Sequence, residues 1–411
     1  MNEKFYLKTL GCKVNQYNSE FIRENLLSLG WEEKEGGWAI VNGCVVTKSA
    51  ERKTRKEIYR ALRKGEKVIV TGCFARYIPS FPGVVSIPEE DRVVEYLTGK
   101  KPLLKGIKEF PKHQRIWVKV QQGCPGGCSY CVVPRVRGKV YSRPEEEILE
   151  EIKAVEGNFR EIVLTGTHLG VYGREWGGSL SSLVEKILKI LKKARLRLSS
   201  LEIKEVDEHL LELFSSEKLC PHLHLPLQSG STRILKLMNR PYTAEEFVKI
   251  TENIRRKVKN IAFTTDIMIG FPPETQLDLE ASIEMLNKVG FLRVHIFPFS
   301  PRKGTPAEKY KPLPPKVIRE RFKIMEEAVI DSTYKERKKH LGKIKNVLIE
   351  EEGGGGYSED YIWIKVKEGA GRLGEVLEVE ITEVTKTETF GEVIHGKEMS
   401  SSHRVQLHSY K

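Results

Sequence analysis

Six of the seven cysteines in this 411-residue chain stand where chemistry is easy to read. Cys124, Cys128 and Cys131 form a CxxxCxxC loop, GCPGGCSYC, directly after the strand-like run IWVKVQQG. Thiolates hold iron–sulfur clusters, and four would complete a four-iron cube. Three close thiolates leave one iron open to chelate the amino and carboxylate groups of S-adenosylmethionine. One electron then breaks the sulfonium C–S bond and yields a carbon radical. The alternative is a structural zinc site, but zinc usually pairs CxxC with a second CxxC or with histidines, and none is well placed. Cys12, Cys44 and Cys73 each close a Gly-Cys pair after a β-prone run: FYLKTLGC, WAIVNGC and VIVTGC. They read as a second ligand set, or else as buried cysteines. Cys220 reads as a bystander.

The elements that must position these groups follow from periodicity. Short strands alternating with helical patterns at NSEFIRENLLSLG and TKSAERKTRKEIYRALRKG imply a parallel sheet over residues 1–110. Residues just past the carboxyl ends of parallel strands gather in one crevice, so the three Gly-Cys endings should converge. From Ile116 to about Ser300, six strand runs (IWVKVQQG, EIVLTG, RLRLSSLEI, HLHLPLQSG, FTTDIMIG, RVHIFPFS) alternate with helices. This is the pattern of a partial (β/α)6 barrel with its site at the carboxyl strand ends. A Pro/Lys-rich linker is expected near 100–113, a charged helix over 315–340, and a small all-β barrel after 341 with GGGG at 353–356 as a loop. The fold class is therefore α/β with a C-terminal β barrel.

The formal net charge is +13. Residues 1–110 carry +6 (20 basic, 14 acidic), residues 111–340 carry +11 (40 and 29), and residues 341–395 carry −6 (6 and 12). A basic front half invites a nucleic-acid partner, and an acidic barrel would suit a basic protein. No stretch reaches the length of a membrane span, and MNEKFYLKTLGC lacks the pattern of a signal peptide, so no membrane is expected and a cytoplasmic location is.

The segment QQGCPGGCSYCVVPRVRGKVYSRP resembles the signature of the radical-SAM methylthiotransferases, the MiaB, RimO and MtaB group. The similarity continues through GCKVNQYNSE, VNGCVVTKSAERKTRK, LTGTHLGVYG, HLHLPLQSGSTRILKLMNRPYT, TTDIMIGFPPET and HIFPFSPRKGTPA. It implies an N-terminal methylthiotransferase domain (1–110) with an auxiliary cluster on Cys12, Cys44 and Cys73. A radical-SAM domain with a linker helix (111–340), a TRAM domain (341–395) and a tail (396–411) follow. The cofactors implied are two [4Fe-4S] clusters and S-adenosylmethionine; the partners are an electron donor such as flavodoxin or ferredoxin and a sulfur source. GCKVNQY is similar to the MtaB branch, which methylthiolates N6-threonylcarbamoyladenosine at position 37, beside the anticodon of tRNA. MiaB-like chains usually show GCQMN, and RimO-like chains, which modify an aspartate of a ribosomal protein, show CxKN. One S-adenosylmethionine would donate a methyl group to sulfur at the auxiliary cluster, and another would yield the radical. Pro273 and Ile203 depart from the family pattern, which has glycine and proline there. A third reading is a non-catalytic iron–sulfur sensor that binds RNA.

Candidate S-adenosylmethionine contacts are Tyr130, Thr165, Gly166, Thr167, Glu202, Gln228 and Arg240. His168, His222 and His224 read as scaffold. For RNA, two surfaces stand out: a basic helix with Arg52, Lys53, Arg55, Lys56, Arg60 and Arg63, and a loop with Arg135, Arg137, Lys139 and Arg143.

Overall fold

The computed structural model describes residues 3–111, 113–367 and 371–394; the tail expected at 396–411 lies outside the described residues. The first elements are β1 (Lys4–Thr9), α1 (Lys13–Ser28), β2 (Glu32–Glu33), β3 (Trp38–Gly43), α2 (Lys48–Arg63), β4 (Lys67–Thr71), α3 (Gly72–Tyr77), β5 (Val84–Ser86) and α4 (Glu90–Thr98). The five strands form one parallel sheet in the order β2-β1-β3-β4-β5. Alternation splits its side chains between two cores. Ile40 and Ile69 pack with Phe5, Ile22 and Leu26 on one face, while Val41, Val68 and Val70 pack with Ile58 and Phe74 on the other. In α2, Thr47 caps the first turn, Thr54, Ile58 and Ala61 are buried, and the basic residues fall on the outer face.

The middle comprises β6 (Arg115–Gln122), α5 (Val133–Val136), β7 (Tyr141–Ser142), α6 (Glu145–Val155), β8 (Glu161–Gly166), α7 (Leu180–Ile190), β9 (Arg195–Leu198), α8 (Glu208–Leu213) and β10 (His222–His224). It continues with α9 (Thr232–Leu237), α10 (Ala244–Lys257), β11 (Ala262–Ile269), α11 (Gln276–Val289), β12 (Arg293–Pro298) and α12 (Pro315–Lys338). Sheets β7-β6-β8-β9 and β10-β11-β12 are linked by the parallel bridges Leu196↔Leu219 and Ser200↔His224. The short β7, absent from the sequence reading, pairs antiparallel with the end of β6 and turns the cysteine loop back towards the sheet. Among the described residues no helix is long and apolar enough to cross a membrane.

The last strands, β13 (Ile344–Ile349), β14 (Gly355–Tyr357), β15 (Trp363–Lys367), β16 (Val376–Val384) and β17 (Thr389–Val393), close into a five-stranded barrel. The expected loop at 353–356 is corrected in part. Gly355 and Gly356 are buried in β14, where a Cβ on Gly355 would stand 2.6 Å from the Trp363 ring. The barrel is tied to the middle by buried charge. Glu161 accepts from Arg195 and Arg197, each at 2.7 Å. Arg195 also donates to the backbone oxygens of Asn346 and Tyr357, and Arg115 donates to Glu350 at 2.8 Å. Three cations held by one buried carboxylate keep Glu161 ionised well below the usual carboxylate range, against its burial.

Candidate functional site

β1, β3 and β4 are neighbours, and their carboxyl ends carry Cys12, Cys44 and Cys73. Cys12 is the N-cap of α1 and Cys73 lies in the first turn of α3, so free helix N–H groups flank the triad and favour an anionic group there. Gly11 has φ +110°, and a Cβ on it would stand 3.2 Å from the Cys44 sulfur; only glycine lets the two strand ends approach this closely. Thr54 of α2 holds the Cys44 backbone, accepting from its N–H at 3.2 Å. Burial pushes the Cys73 thiol up to about 11 and raises Cys44 as well. Such thiols give up their protons when they ligate metal. Arg137 was expected on an RNA-binding surface. It is instead nearly fully buried, donating to Asn15 Oδ1 and reaching Cys12 Sγ at 3.4 Å. Burial opposes its charge, but Cys73, Cys12, Glu90 and Cys44 around it favour it. A guanidinium beside the three cysteines favours their ionised, ligating form, which is a different task from binding phosphate.

The second triad is held by one loop. Its backbone is fixed by Ser129 N–H donating to Met238 O at 2.9 Å, Ala307 N–H to Ser129 O at 2.7 Å and Asn239 Nδ2 to Gly127 O at 2.9 Å. Gly126 N–H donates to Cys124 Sγ at 3.3 Å, and Arg240 Nη1 to Cys128 Sγ at 3.4 Å. His168, expected as scaffold, stands with Nδ1 3.1 Å from Cys124 Sγ and Nε2 2.9 Å from the Glu205 carboxylate. Burial works against its charge, but the contacts with Cys124 and Glu205 push it up to about 10. The motif THLG contained this residue, yet nothing in the sequence says that its ring turns back to the cysteine loop.

The other expected contacts are distributed along the strand ends. Thr165 is buried and Gly166 pairs with Gln121 at the end of β8. The Glu202 carboxylate accepts from Arg240, which Tyr242 also contacts. Tyr130 packs edge-on against Phe271, with ring centroids 6.4 Å apart. Gln228 has φ +68°. The buried atoms Thr167 Oγ1, Gln228 Oε1 and Ser199 Oγ have no hydrogen-bond partner. Buried polar atoms are rarely left unpaired, so these three mark where a polar ligand would complete the site. Cys220 is buried beside Arg197. His222 and His224 both contact Thr264 Oγ1 at 2.9 Å and line a cavity of about 500 Å³ that reaches to Cys12.

Of the RNA candidates, Arg52, Lys53, Lys56, Arg60 and Arg63 are exposed on α2, and Arg135 and Lys139 are exposed on the loop. Two more are corrected. Arg55 pairs with Glu51 at 3.0 Å and lies over the Phe74 and Phe81 rings. Arg143 is buried, bonding Glu151 at 2.6 Å and Tyr17 at 3.0 Å.

Among the described residues no three His, Cys, Asp or Glu side chains are spaced to hold a single metal ion. A four-iron cube reaches thiolates that stand farther apart than the ligands of one ion. The all-thiolate donor sets, the cationic donors aimed at them and the orphaned polar atoms fit such a cube in each triad and S-adenosylmethionine at the strand ends.

Residues 118–286 match the Radical SAM superfamily, and residues 4–82 match the uncharacterized protein family UPF0004. The chain is 37% identical over 372 residues to the threonylcarbamoyladenosine tRNA methylthiotransferase MtaB of Thermotoga maritima, covering 84% of this chain and 86% of that one. To the protein of the same name from Aquifex aeolicus it is 36% identical over 412 residues, covering 92% and 99%. The tRNA-2-methylthio-N(6)-dimethylallyladenosine synthase of Aquifex aeolicus is 31% identical over 436 residues, covering 96% and 99%. Among solved structures, the radical S-adenosylmethionine methyltransferase TsrM from Kitasatospora setae superposes with a TM-score of 0.52 at 13% identity, over 72% of this chain and 75% of that one, a likeness of fold alone. Relatives alike over most of their length thus fix the family: the chain belongs to the radical-SAM methylthiotransferases, in the MtaB group.

Proposed function

We propose that the protein converts N6-threonylcarbamoyladenosine, beside the anticodon of tRNA, to its 2-methylthio derivative. The observation that carries this reading is a cavity between the two domains: Cys12 of the first triad lines it together with Ser199, Ser200 and His224 at the barrel strand ends. A base placed there meets Cys12 of the auxiliary triad and the inner wall of the barrel that carries the radical-forming loop. In this reading residues 1–110 are the methylthiotransferase domain, 111–340 the partial (β/α)6 radical-SAM barrel with α12 as its linker helix, and 341–395 the TRAM barrel. When bound, the two [4Fe-4S] clusters and S-adenosylmethionine supply the sulfur, the methyl group and the radical.

The chain's own residues position these groups. His168 and Arg240 aim positive N–H groups at Cys124 and Cys128, and Arg137 does so at the Cys12 triad. Thr167 and Gln228 offer free oxygens to S-adenosylmethionine, and Glu202, oriented by Arg240, offers a carboxylate. Arg52, Lys53, Lys56, Arg135 and Lys139 give the RNA backbone a cationic track. An anticodon-loop base is single-stranded and needs little energy to be splayed into a pocket. A flavodoxin or ferredoxin as electron donor, a separate sulfur source and a cytoplasmic setting complete the reading.

The test is an anaerobic assay of the reconstituted protein with reductant and S-adenosylmethionine. It is offered tRNA bearing threonylcarbamoyladenosine, tRNA bearing dimethylallyladenosine, and the small-subunit ribosomal protein. Mass spectrometry should find a methylthio gain on the threonylcarbamoyl nucleoside alone. A gain only on the ribosomal protein, or cluster binding without 5′-deoxyadenosine, would overturn it.

A further inference from the structure

The cavity beside Cys12 holds more positive charge than its own walls neutralise. It opens between the start of α1, with Cys12 and Lys13, and strand β12, with Arg293 and His295, and it ends on Tyr361. At about 500 Å³ it has the size of a small-ligand site. Arg115 and Arg197 are neutralised from behind by Glu350 and Glu161. Asp266, the carboxylate on this wall, is engaged by His224 at 3.3 Å and His295 at 3.4 Å.

Lys13 and Arg293 are held differently. The Lys13 ammonium lies 5.5 Å from the centre of the Trp117 ring, and Trp117 is itself fixed by donating to Gln16 Oε1 at 2.7 Å. Arg293 donates to the Tyr357 hydroxyl and lies 6.0 Å from that ring. Aromatic groups thus set both cations in place while leaving their charge uncompensated. The floor is flat: Tyr361 stacks on His222 and Tyr357 at 4.4 and 4.3 Å. Tyr361 also registers the field. Burial pushes its hydroxyl up, yet Lys13, Arg115, Arg293 and Arg197 bring it below its ordinary value.

Resting on the reading above, we propose that Lys13 and Arg293 form the subsite for the carboxylate of the adenine N6 substituent, and so make the enzyme select an acidic substituent over an apolar one. An acidic group pairs with two pre-positioned cations. A dimethylallyl group offers neither cation a partner and displaces part of their hydration. Because Lys13 follows Cys12 directly, anchoring the substituent there also fixes the ring against the auxiliary triad.

The experiment uses the reconstituted two-cluster enzyme and three anticodon stem-loop RNAs that differ only at the target adenosine: threonylcarbamoyl, its methyl ester, and dimethylallyl. Binding is read by anaerobic fluorescence anisotropy and methylthio transfer by mass spectrometry, for the wild type, Lys13→Gln, Arg293→Gln and the double variant. The wild type should bind the acid about ten-fold or more tighter than the ester. The double variant should bind both alike, with iron content and 5′-deoxyadenosine formation retained, and Lys13→Arg should keep the preference. If the wild type methylthiolates the threonylcarbamoyl RNA but binds acid and ester equally, or if the preference survives both substitutions, the subsite is overturned while the function stands. If the wild type transfers nothing to the threonylcarbamoyl RNA, the functional reading fails and the subsite with it.

Discussion

Cys124, Cys128 and Cys131 fall within one loop, whereas Cys12, Cys44 and Cys73 come from three strand ends spread over the first seventy-odd residues. The loop triad is shaped by its own backbone and by donors from the connections around it, His168 after β8 and Arg240 after α9. The auxiliary triad exists only when β1, β3 and β4 pair in register, and its central charge, Arg137, arrives from outside that sheet. Arg137 is also the C-cap of α5, the short helix that starts just after Cys131. The two centres are therefore joined by a few residues of chain: whatever orders the loop triad also places the guanidinium of the other. A local site is robust to distant change. A site assembled from several elements is sensitive to it, and here the sensitive site borrows its key residue from the robust one.

The largest effect expected from this contrast is a clean division of labour. Single Ala substitutions at Cys124, Cys128 or Cys131 should abolish 5′-deoxyadenosine formation, whereas those at Cys12, Cys44 or Cys73 should preserve it and abolish methylthio transfer. Both products are measured in one anaerobic reaction by mass spectrometry. Loss of 5′-deoxyadenosine in the Cys12 set would show that the coupling through Arg137 runs in both directions.

A smaller effect separates the two arginines. Arg137→Met should lower iron content to that of one cluster, because the exposed Cys12 and the buried Cys44 and Cys73 lose the neighbouring charge that favours their ionised form. Arg240→Met should leave iron content intact and weaken S-adenosylmethionine-dependent cleavage by about 10- to 100-fold, the usual cost of losing a partner of a metal ligand. Iron analysis beside cleavage kinetics reads both. Equal iron loss in the two variants would erase the distinction between the borrowed and the local donor.

These arginines also mark the limit of what the sequence displays. The β/α alternation, the six main strands of the middle and the convergence of the Gly-Cys endings are local signals, written in period and in strand-end position. Arg137 and Arg143 lie in a basic loop beside Arg135 and Lys139, and nothing in the linear order says which charges are buried. Their partners, Asn15, Tyr17 and Glu151, lie far away along the chain or on another element. His168 was hidden for the same reason. The acidic balance of residues 341–395 misled in the opposite direction. Asp360 with Lys345 and Glu388 with Lys365 pair within the barrel, while Glu350 is taken up by Arg115 of the middle, so one unit of the acidic excess serves the junction between domains rather than a partner.

The smallest expected effect concerns the cations that do face solvent. Lys53→Ala and Lys56→Ala on α2 remove exposed charges that make no ion pair among the described residues, so folding and both clusters should be untouched. If they contact phosphate, tRNA affinity should fall modestly for every sequence alike, and the slope of log affinity against log salt should flatten by about one for each contact removed. Arg55→Ala is the internal control: its guanidinium is already committed to Glu51 and two aromatic rings, so its loss should cost stability rather than salt dependence. A titration of fluorescent tRNA across salt concentrations, beside thermal melts, decides it. An unchanged slope in the lysine variants would move the RNA track off α2 and onto the Arg135 and Lys139 loop beside the cluster.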